Sequence, residues 1–210
     1  MKISWLGHAS FLIETSDQII ITDPFNEEVG YPIYEGEVDC VTVSHDHWDH
    51  NAVHLLKGKP QVIKTAGEHE VNKIKFQGIK SYHDPEEGKL RGENIIFKIS
   101  AEGIDVVHLG DLGHLLTDEH LDLLANVDIL LIPVGGTFTV DAEEALTIVK
   151  QLNPKIVIPM HFSTPHLSFD LAPVEDFTKF FDIVTKKPYL EIKEGNLAGE
   201  NKILVLDYLS

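Results

Sequence analysis

The chain has 210 residues, of which 43% are hydrophobic and 24% are charged, a composition typical of a globular protein. Acidic side chains number 34 against 17 lysines and arginines, which gives a formal net charge of −17. Nucleic-acid binding depends on basic groups that neutralise phosphates, and the single arginine is Arg91. The composition therefore argues against disordered and fibrous proteins and against a polyanionic partner.

The sequence also lacks the marks of export and membrane insertion. Its one cysteine, Cys40, excludes an internal disulfide and a cysteine-rich zinc site. No stretch reaches the ~18–20 unbroken apolar residues of a membrane span, and the first residues lack the apolar segment of a signal peptide. We predict a cytoplasmic protein without membrane insertion that forms one domain over residues 1–210.

Short β-rich runs separated by turns dominate the first half of the chain. They predict strands at residues 9–14, 18–22, 40–44, 62–65, 94–100 and 105–109, with hairpin turns at 15–17 and 102–103. Six lysines lie between residues 57 and 80 against two glutamates. We interpret this stretch as the solvated face of a helix or loop, with a small basic binding face as the alternative.

Helical periodicity appears in the second half of the chain. It predicts helices at residues 117–125, 141–152 and 173–184, the second capped by Asp141 and the third with Pro173 in its first turn. Buried strands are predicted at 127–133, 155–159 and 202–207. This mixture of strands and helices favours sheets covered by helices.

The segment HDHWDH at residues 45–50 carries the strongest chemical signal. It follows a predicted strand and places three histidines and two carboxylates on one loop. Side chains at positions i and i+2 of an extended chain point the same way, so His45 and His47 can hold one ion together. Asp49 and His50 lie one turn further on and can face a second ion. The alternative is a histidine-rich surface loop that scavenges metal.

Three further candidates lie at predicted turns or strand ends: His83, Asp111 and His161. A strand end gives a metal ligand a rigid base, and the following loop gives it access to solvent. Taken singly, each of the two histidines reads more readily as an ordinary packed or surface residue.

Taken in chain order, the 45–50 motif, His83, Gly110–Asp111 and His161 resemble the metallo-β-lactamase superfamily. The segments WLGHA (5–9), TDP (22–24), PVGG (133–136) and PMH (159–161) are similar to the branch that contains ascorbate-6-phosphate lactonases and N-acylphosphatidylethanolamine phospholipase D. Within it, the chain resembles small metal-dependent hydrolases. The resemblance implies an α+β fold, a four-layer αββα sandwich with the site at one edge between two sheets.

The resemblance also implies a metal-binding role for seven side chains. They would hold two ions: His45, His47 and His83 the first, Asp49, His50 and His161 the second, with Asp111 bridging both. Asp23 would order the motif loop without touching an ion.

Three further roles concern catalysis and substrate binding. Asp49 is the candidate proton acceptor during attack on the substrate. His8 follows a strand and would face the site, where it would bind substrate or act in catalysis, with core packing as the alternative. His114 could reach the site from the loop after Asp111, with a capping or surface position as the alternative.

The remaining residues of interest are expected to be structural. Gly135 and Gly136 are interpreted as allowing close backbone approach at a turn, with substrate contact as a secondary role. Trp48 is expected to pack under the motif loop rather than to stack on a substrate.

Imidazole and carboxylate ligands suit Zn, Mn or Fe; we expect two divalent ions, zinc first, with manganese or iron as alternatives. Two ions ~3.5–4 Å apart can share a hydroxide and polarise the bond to be broken. The sequence thus predicts a hydrolase of an ester, lactone or phosphoester in a small, anionic substrate. A positively charged site inside an acidic protein attracts small anions and repels long polyanions.

Three alternatives stay open. A phosphodiesterase or nuclease is disfavoured because RNA-processing relatives add a large domain or arm, for which 210 residues leave no room. An iron-dependent redox enzyme is disfavoured because diiron relatives carry a carboxylate where this chain has His47. A non-catalytic metal-binding module is disfavoured by the complete ligand set. The partner is expected to be a small molecule, and homo-oligomerisation is left open.

Overall fold

The computed structural model describes residues 1–193, 197 and 202–209. The strands in these ranges are β1 (Lys2–Gly7), β2 (Ser10–Glu14), β3 (Ile19–Thr22), β4 (Glu37–Thr42), β5 (Lys57–Ile63), β6 (Gly67–Val71), β7 (Ile74–Tyr82), β8 (Glu93–Ala101), β9 (Ile104–His108), β10 (Ile129–Pro133), β11 (Ile156–Met160), β12 (Val184–Lys187), β13 (Leu190–Glu191) and β14 (Lys202–Leu206). The α-helices are α1 (Asp118–Leu123), α2 (Ala142–Leu152) and α3 (Glu175–Thr178), and short 3₁₀ turns lie at Glu27–Val29 and Val53–Leu55. Within these ranges no helix is long and apolar enough to cross a bilayer.

The strands form two mixed sheets. The first has the order β13-β1-β2-β3-β4-β5, and the second has the order β12-β14-β11-β10-β9-β8-β7-β6. Two antiparallel pairings separate β1 from β3, which is parallel to β4, so these three strands run in one direction. The same reasoning places β7, β9, β10 and β11 in one direction. Each sheet therefore brings the carboxyl ends of several strands to one edge.

The main core contains buried side chains from both sheets. Phe11 of the first sheet and Phe76 and Phe97 of the second belong to one continuous apolar cluster. Every residue of β10 and β11 is buried, as expected for parallel strands covered on both faces. Burial of this apolar surface, at roughly 25 cal/mol per Å², is the main force that joins the sheets.

Most predicted elements are confirmed. The hairpins β2–β3 and β8–β9 form as expected, and the buried strands β10, β11 and β14 lie within a few residues of their predicted bounds. The predicted cap of α2 is present, because the Asp141 carboxylate accepts the backbone N–H groups of Glu143 and Glu144.

The predicted helix at 173–184 is wrong beyond its first turns. Helix α3 ends at Thr178, and β12 begins at Val184 and pairs in parallel with β14. The aromatic spacing matched a helical period, but only Phe177 is fully buried, whereas Phe180 is exposed. Pairing with β14 therefore outweighs the local helical pattern.

The lysine-rich stretch forms strands β5, β6 and β7, not the predicted helix or loop. In β7, Lys75 and Lys80 face solvent while Ile74, Phe76 and Ile79 are buried. The solvated-face interpretation is confirmed for these lysines, but the underlying element is a strand.

Candidate metal centre

The candidate ligands lie at the carboxyl ends of strands that run in one direction within each sheet. On the first sheet His8 follows β1, Asp23 follows β3 and the 45–50 motif follows β4; on the second sheet His83 follows β7, Asp111 follows β9 and His161 follows β11. Because the two sheets pack through a common core, these ends meet at one edge of the molecule.

Asp111 lies at the centre of the cluster. Its Oδ2 is 3.3 Å from Nε2 of His50, 3.2 Å from Nε2 of His83 and 3.3 Å from Nε2 of His161. Its Oδ1 is buried and has no hydrogen-bond partner in the described residues. The backbone N–H of Asp111 donates to Oδ1 of Asn94 at 3.0 Å. One carboxylate thus touches imidazoles from three other segments.

A first histidine trio consists of His45, His47 and His83, whose ring nitrogens lie within 4.8 Å of one another. Nδ1 of His45 donates to Oγ of Ser44 at 2.8 Å, which leaves its buried Nε2 without a partner among the described residues. Nδ1 of His83 donates to the carbonyl of Phe138 at 3.1 Å. These bonds fix the ring orientations and aim Nε2 into the cluster, as in metal-ligating histidines.

A second trio consists of His8, His50 and His161. Nε2 of His8 lies 3.1 Å from Oδ2 of Asp49 and 3.1 Å from Nε2 of His50. The Asp49 oxygen is itself 3.7 Å from Nε2 of His50. The structure therefore brings together the three predicted ligands of the second ion and adds His8 beside them.

Asp23 ties the motif loop to its base. Its fully buried carboxylate accepts the backbone N–H of Ser44 at 2.7 Å, Oγ–H of the same serine at 2.5 Å and Nδ1–H of His50 at 3.0 Å. Burial would raise the pKa of Asp23, but the His50 hydrogen bond and neighbouring imidazoles lower it. Asp23 thus stays ionised and holds His50 with Nε2 facing the cluster.

Three of these residues have a left-handed backbone. His8, Asp23 and His161 have φ values of 54°, 40° and 52°, which are uncommon for residues other than glycine. Each lies directly after a strand, where the sharp turn directs the side chain into the cluster. Such strain persists where the surrounding structure enforces it, and it concentrates at functional sites.

The charge state of the cluster suits a cation. Burial lowers the pKa of His8 to about 4 and of His45 to about 2, so both rings are neutral, and Nε2 of His45 offers a lone pair to the cluster. Burial would raise the pKa of Asp111, but His161 and His50 hold it well below its usual value. Burial would lower the pKa of His50, but Asp111 and Asp23 raise it.

Imidazole nitrogens and ionised carboxylates that converge are the donor set of a divalent metal site, and an ion there would replace the proton that Asp111 and Asp23 favour on His50. Nε2 of His45 and Oδ1 of Asp111, which have no partner in the part of the chain that the structure describes, are the buried polar atoms such an ion would satisfy. The residues present therefore fit bound metal.

Gly135 shows the close backbone approach predicted for the PVGG segment. A Cβ on Gly135 would lie 2.1 Å from the carbonyl oxygen of His161, so only glycine fits against this segment. Gly136 has a φ of 60° and more space, with Cβ of Asp141 at 3.5 Å. The two glycines thus have different roles. Gly135 allows the backbone of His161 to pack closely against it.

His114 does not line the cleft that contains the cluster. Its Nε2 accepts the backbone N–H of Tyr82 at 3.2 Å, and its Nδ1 donates to the carbonyl of Leu115 at 2.8 Å. Both ring nitrogens are therefore engaged by the backbone. His114 contacts the strand end that precedes His83 instead of reaching the site.

A cleft of about 510 Å³ opens onto the cluster. Besides candidate ligands, it is lined by Trp48, Arg91, Phe138 and Phe169. Trp48 is 47% exposed, so the prediction that it packs under the motif loop is wrong. The side chain faces the cleft instead.

Sequence reasoning missed several residues that position the cluster: Ser44, Asn94, His108 and Phe138. His108 donates from Nε2 to the Ala9 carbonyl at 2.7 Å and accepts the Gly110 N–H at Nδ1. Polar residues at the ends of buried strands were the available signal for Ser44, Asn94 and His108. Phe138 acts on His83 through its carbonyl, which leaves no signal in the sequence.

Comparison with known proteins agrees with this geometry. The chain matches the β-lactamase superfamily domain over residues 2–161. It is 33% identical over 195 residues to a UPF0173 metal-dependent hydrolase of Pelotomaculum thermopropionicum, covering 78% of this chain and 85% of the relative. It is 30% identical over 228 residues to one of Pyrococcus abyssi, covering 92% and 99%.

A solved structure extends the comparison to the fold. A Thermotoga maritima protein, described as a candidate Zn-dependent hydrolase of the metallo-β-lactamase superfamily, superposes with a TM-score of 0.84. The two sequences are 42% identical, and the match covers 98% of this chain and 97% of that chain.

Two mixed sheets with metal-type ligands at their common edge define the metallo-β-lactamase fold, and the predicted fold is confirmed. Within that superfamily, the chain belongs to the UPF0173 metal-dependent hydrolase family. The prediction of a metal-dependent hydrolase is likewise confirmed.

Proposed function

We propose that this protein is a dinuclear hydrolase that cleaves an ester, lactone or phosphoester bond in a small anionic substrate. The observation that carries the proposal is the position of Asp111 between the two histidine trios. Its Oδ2 contacts His83 of the first trio and both His50 and His161 of the second. A single carboxylate between two sets of imidazoles is the arrangement expected for a bridging ligand.

In this proposal, seven side chains hold two ions, with His45, His47 and His83 around the first, Asp49, His50 and His161 around the second, and Asp111 shared. Zinc is the metal we propose, with manganese and iron as the alternatives for these nitrogen and oxygen ligands. Bound ions of this kind lower the pKa of water and polarise the group under attack.

Asp49 is the residue to which we assign proton transfer. Its carboxylate lines the cleft, and Nε2–H of His8 donates to its Oδ2 at 3.1 Å. Burial would raise the pKa of Asp49, but the hydrogen bond from His8 and the charge of His50 lower it. Asp49 therefore stays ionised at neutral pH, and His8 holds its carboxylate in one orientation.

We also propose that the chain lies in the branch with ascorbate-6-phosphate lactonases and N-acylphosphatidylethanolamine phospholipase D. The segments that carry this resemblance include His8 and Asp23, and both residues contact the motif loop. Those contacts give each segment a function in the site, which supports the proposal.

Metal content per chain tests the proposal most directly. We would measure it by mass spectrometry on protein purified without chelator or histidine tag. The same protein would be assayed on phosphodiester, phosphomonoester and lactone substrates with zinc, manganese and iron added back. About two equivalents and metal-dependent turnover are expected. One equivalent of iron with oxygen consumption would favour the redox alternative, and absence of metal without rescue would overturn the proposal.

Exchange of Gly135 for alanine is expected to displace His161 and weaken metal binding. The added Cβ would lie 2.1 Å from the His161 carbonyl oxygen and 3.1 Å from Cα of Phe162, and backbone atoms cannot rotate away. Crowding of this kind costs ~1–3 kcal/mol of stability. Thermal unfolding and metal analysis should show a lower melting temperature and loss of the ion held by His161.

The neighbouring exchange Gly136→Ala provides a matched control. Its backbone has a φ of 60° and its Cβ would meet only Asp141 at 3.5 Å, so the expected cost is the ~1–2 kcal/mol of a left-handed residue. This variant should lose stability but keep its full metal content. Equal metal content in both variants would show that Gly135 does not position His161.

A further inference from the structure

The only arginine of the chain, Arg91, lines the same cleft as Asp49 and Asp111. Among the described residues, five lysines form ion pairs with carboxylates on the acidic surface: Lys2, Lys57, Lys98, Lys155 and Lys179. Arg91 forms none with the described residues, and within them its guanidinium donates one hydrogen bond, from Nη2 to the carbonyl of Thr137 at 3.1 Å. A guanidinium has five N–H donors, so most of its capacity is available to a ligand.

The loop that carries Arg91 is held by backbone hydrogen bonds. The buried carboxylate of Asp84 accepts four backbone N–H groups, those of Glu86, Gly88, Leu90 and Arg91, at 2.7–3.0 Å. The loop returns to the site where the His83 N–H donates to the Gly92 carbonyl at 3.1 Å. The Arg91 guanidinium also lies 5.7 Å from the centre of the Phe138 ring. A preorganised cation loses less conformational entropy when it binds an anion.

An apolar wall lies beside Arg91 in the cleft. Phe138 is 39% exposed, Trp48 is 47% exposed, and the Phe138 and Phe169 rings are 6.3 Å apart. Phe169 also lies 5.4 Å from the His8 ring and 6.5 Å from the His161 ring, so the wall reaches the metal-binding cluster. Exposed aromatic rings around a few polar groups are typical of a small-molecule site.

We propose that Arg91 selects substrates by binding a carboxylate or phosphate group remote from the bond that is cleaved. The aromatic wall would bind an apolar segment between that anionic group and the cluster. The substrate class is then an amphipathic small molecule with a hydrolysable bond at one end and an oxyanion at the other. This inference rests on the proposed function, because it places the hydrolysable bond at the metal-binding cluster.

The charge of the protein strengthens the assignment. At a formal net charge of −17, the surface repels small anions, so a cation within the cleft favours anion binding at that place. The planar guanidinium fork binds carboxylate and phosphate through two hydrogen bonds, which a lysine cannot reproduce.

Binding to the metal-free protein tests the role of Arg91 apart from the metal. The probes are 3-phenylpropionate, 3-phenylpropyl phosphate and the neutral 3-phenylpropionamide. Binding is followed by the change in tryptophan fluorescence, because Trp48 lines the cleft whereas the buried Trp5 does not and contributes a constant background. Wild-type protein should bind at least one anionic probe roughly tenfold more tightly than the amide. Arg91→Met should remove that preference, and Arg91→Lys should restore it only in part. The two anionic probes distinguish a carboxylate from a phosphate substrate.

Lys89→Met is the matched control, because it removes one positive charge from the same loop at an exposed position outside the cleft. It should leave the preference for the anionic probes intact. Equal anion binding by wild type and Arg91→Met would overturn the proposal, as would equal weakening of the anionic and neutral probes. The dinuclear proposal can fail separately. If the protein as purified lacks two metal equivalents but its metal-free form still shows the Arg91-dependent preference, only the dinuclear proposal is overturned.

Discussion

Asp111→Asn is expected to abolish hydrolysis and to lower the metal content of the protein. The carboxylate contacts His50, His83 and His161 at 3.2–3.3 Å, so its charge acts on both trios at once. An amide has the same shape but carries no charge and points an N–H donor at nitrogen atoms that themselves must bind metal. The loss of metal affinity should exceed the roughly 10–100-fold loss caused by changing residues that only orient a ligand. His47→Ala should have a similar effect through the first trio.

The measurement is metal content and turnover on protein whose fold is checked by circular dichroism. The fold should persist, because the backbone N–H of Asp111 keeps its bond to Asn94. Asp46→Asn is the matched control inside the motif: Asp46 is exposed and accepts a hydrogen bond from Asn51 at 2.7 Å. It should retain metal and activity. Full activity of metal-depleted Asp111→Asn protein would contradict the two-metal interpretation.

Asp23→Asn is expected to weaken metal binding about 10–100-fold although Asp23 touches no ion in the proposed site. The carboxylate accepts three hydrogen bonds, two from Ser44 and one from His50. An asparagine has one oxygen and one NH₂ group, so at least one buried donor must face another donor. That conflict costs ~1–3 kcal/mol and releases the ring orientation of His50.

Metal titration followed by calorimetry measures this effect, with thermal unfolding of the metal-free protein as the second readout. Asp39→Asn is the control, since the exposed Asp39 also accepts a backbone N–H, from Ile19 at 2.7 Å, but lies away from the cluster. It should leave metal affinity unchanged. If Asp23→Asn lowered the melting temperature and left metal affinity unchanged, Asp23 would be a structural residue only.

The candidate ligands could be read from the sequence because their chemistry is local. The 45–50 motif groups its ligands by spacing, and Asp111 and His161 follow apolar strands that are recognisable by composition, whereas the strand before His83 was not predicted. The Asp141 cap of α2 was predictable for the same reason, because capping depends on neighbouring residues.

Elements whose formation depends on distant partners were harder to predict. Strand β13 has two residues and exists through pairing with β1, and β12 exists through pairing with β14. The cleft raises the same difficulty. The exposure of Trp48 and the position of Arg91 depend on loop conformations that local sequence patterns do not specify. Arg91, for example, donates to the carbonyl of Thr137, which lies 46 positions further along the chain.

Neither sheet can assemble either histidine trio by itself. The first trio takes His45 and His47 from the first sheet and His83 from the second, and the other takes His8 and His50 from the first and His161 from the second. Any partly folded species in which the sheets have separated therefore lacks both trios. By thermodynamic linkage, a ligand that binds only the docked arrangement stabilises that docking in proportion to its affinity and concentration. The cluster thus couples cooperative docking of the two sheets to metal supply. Protein made without sufficient metal would be most vulnerable to proteolysis at the interface between the sheets.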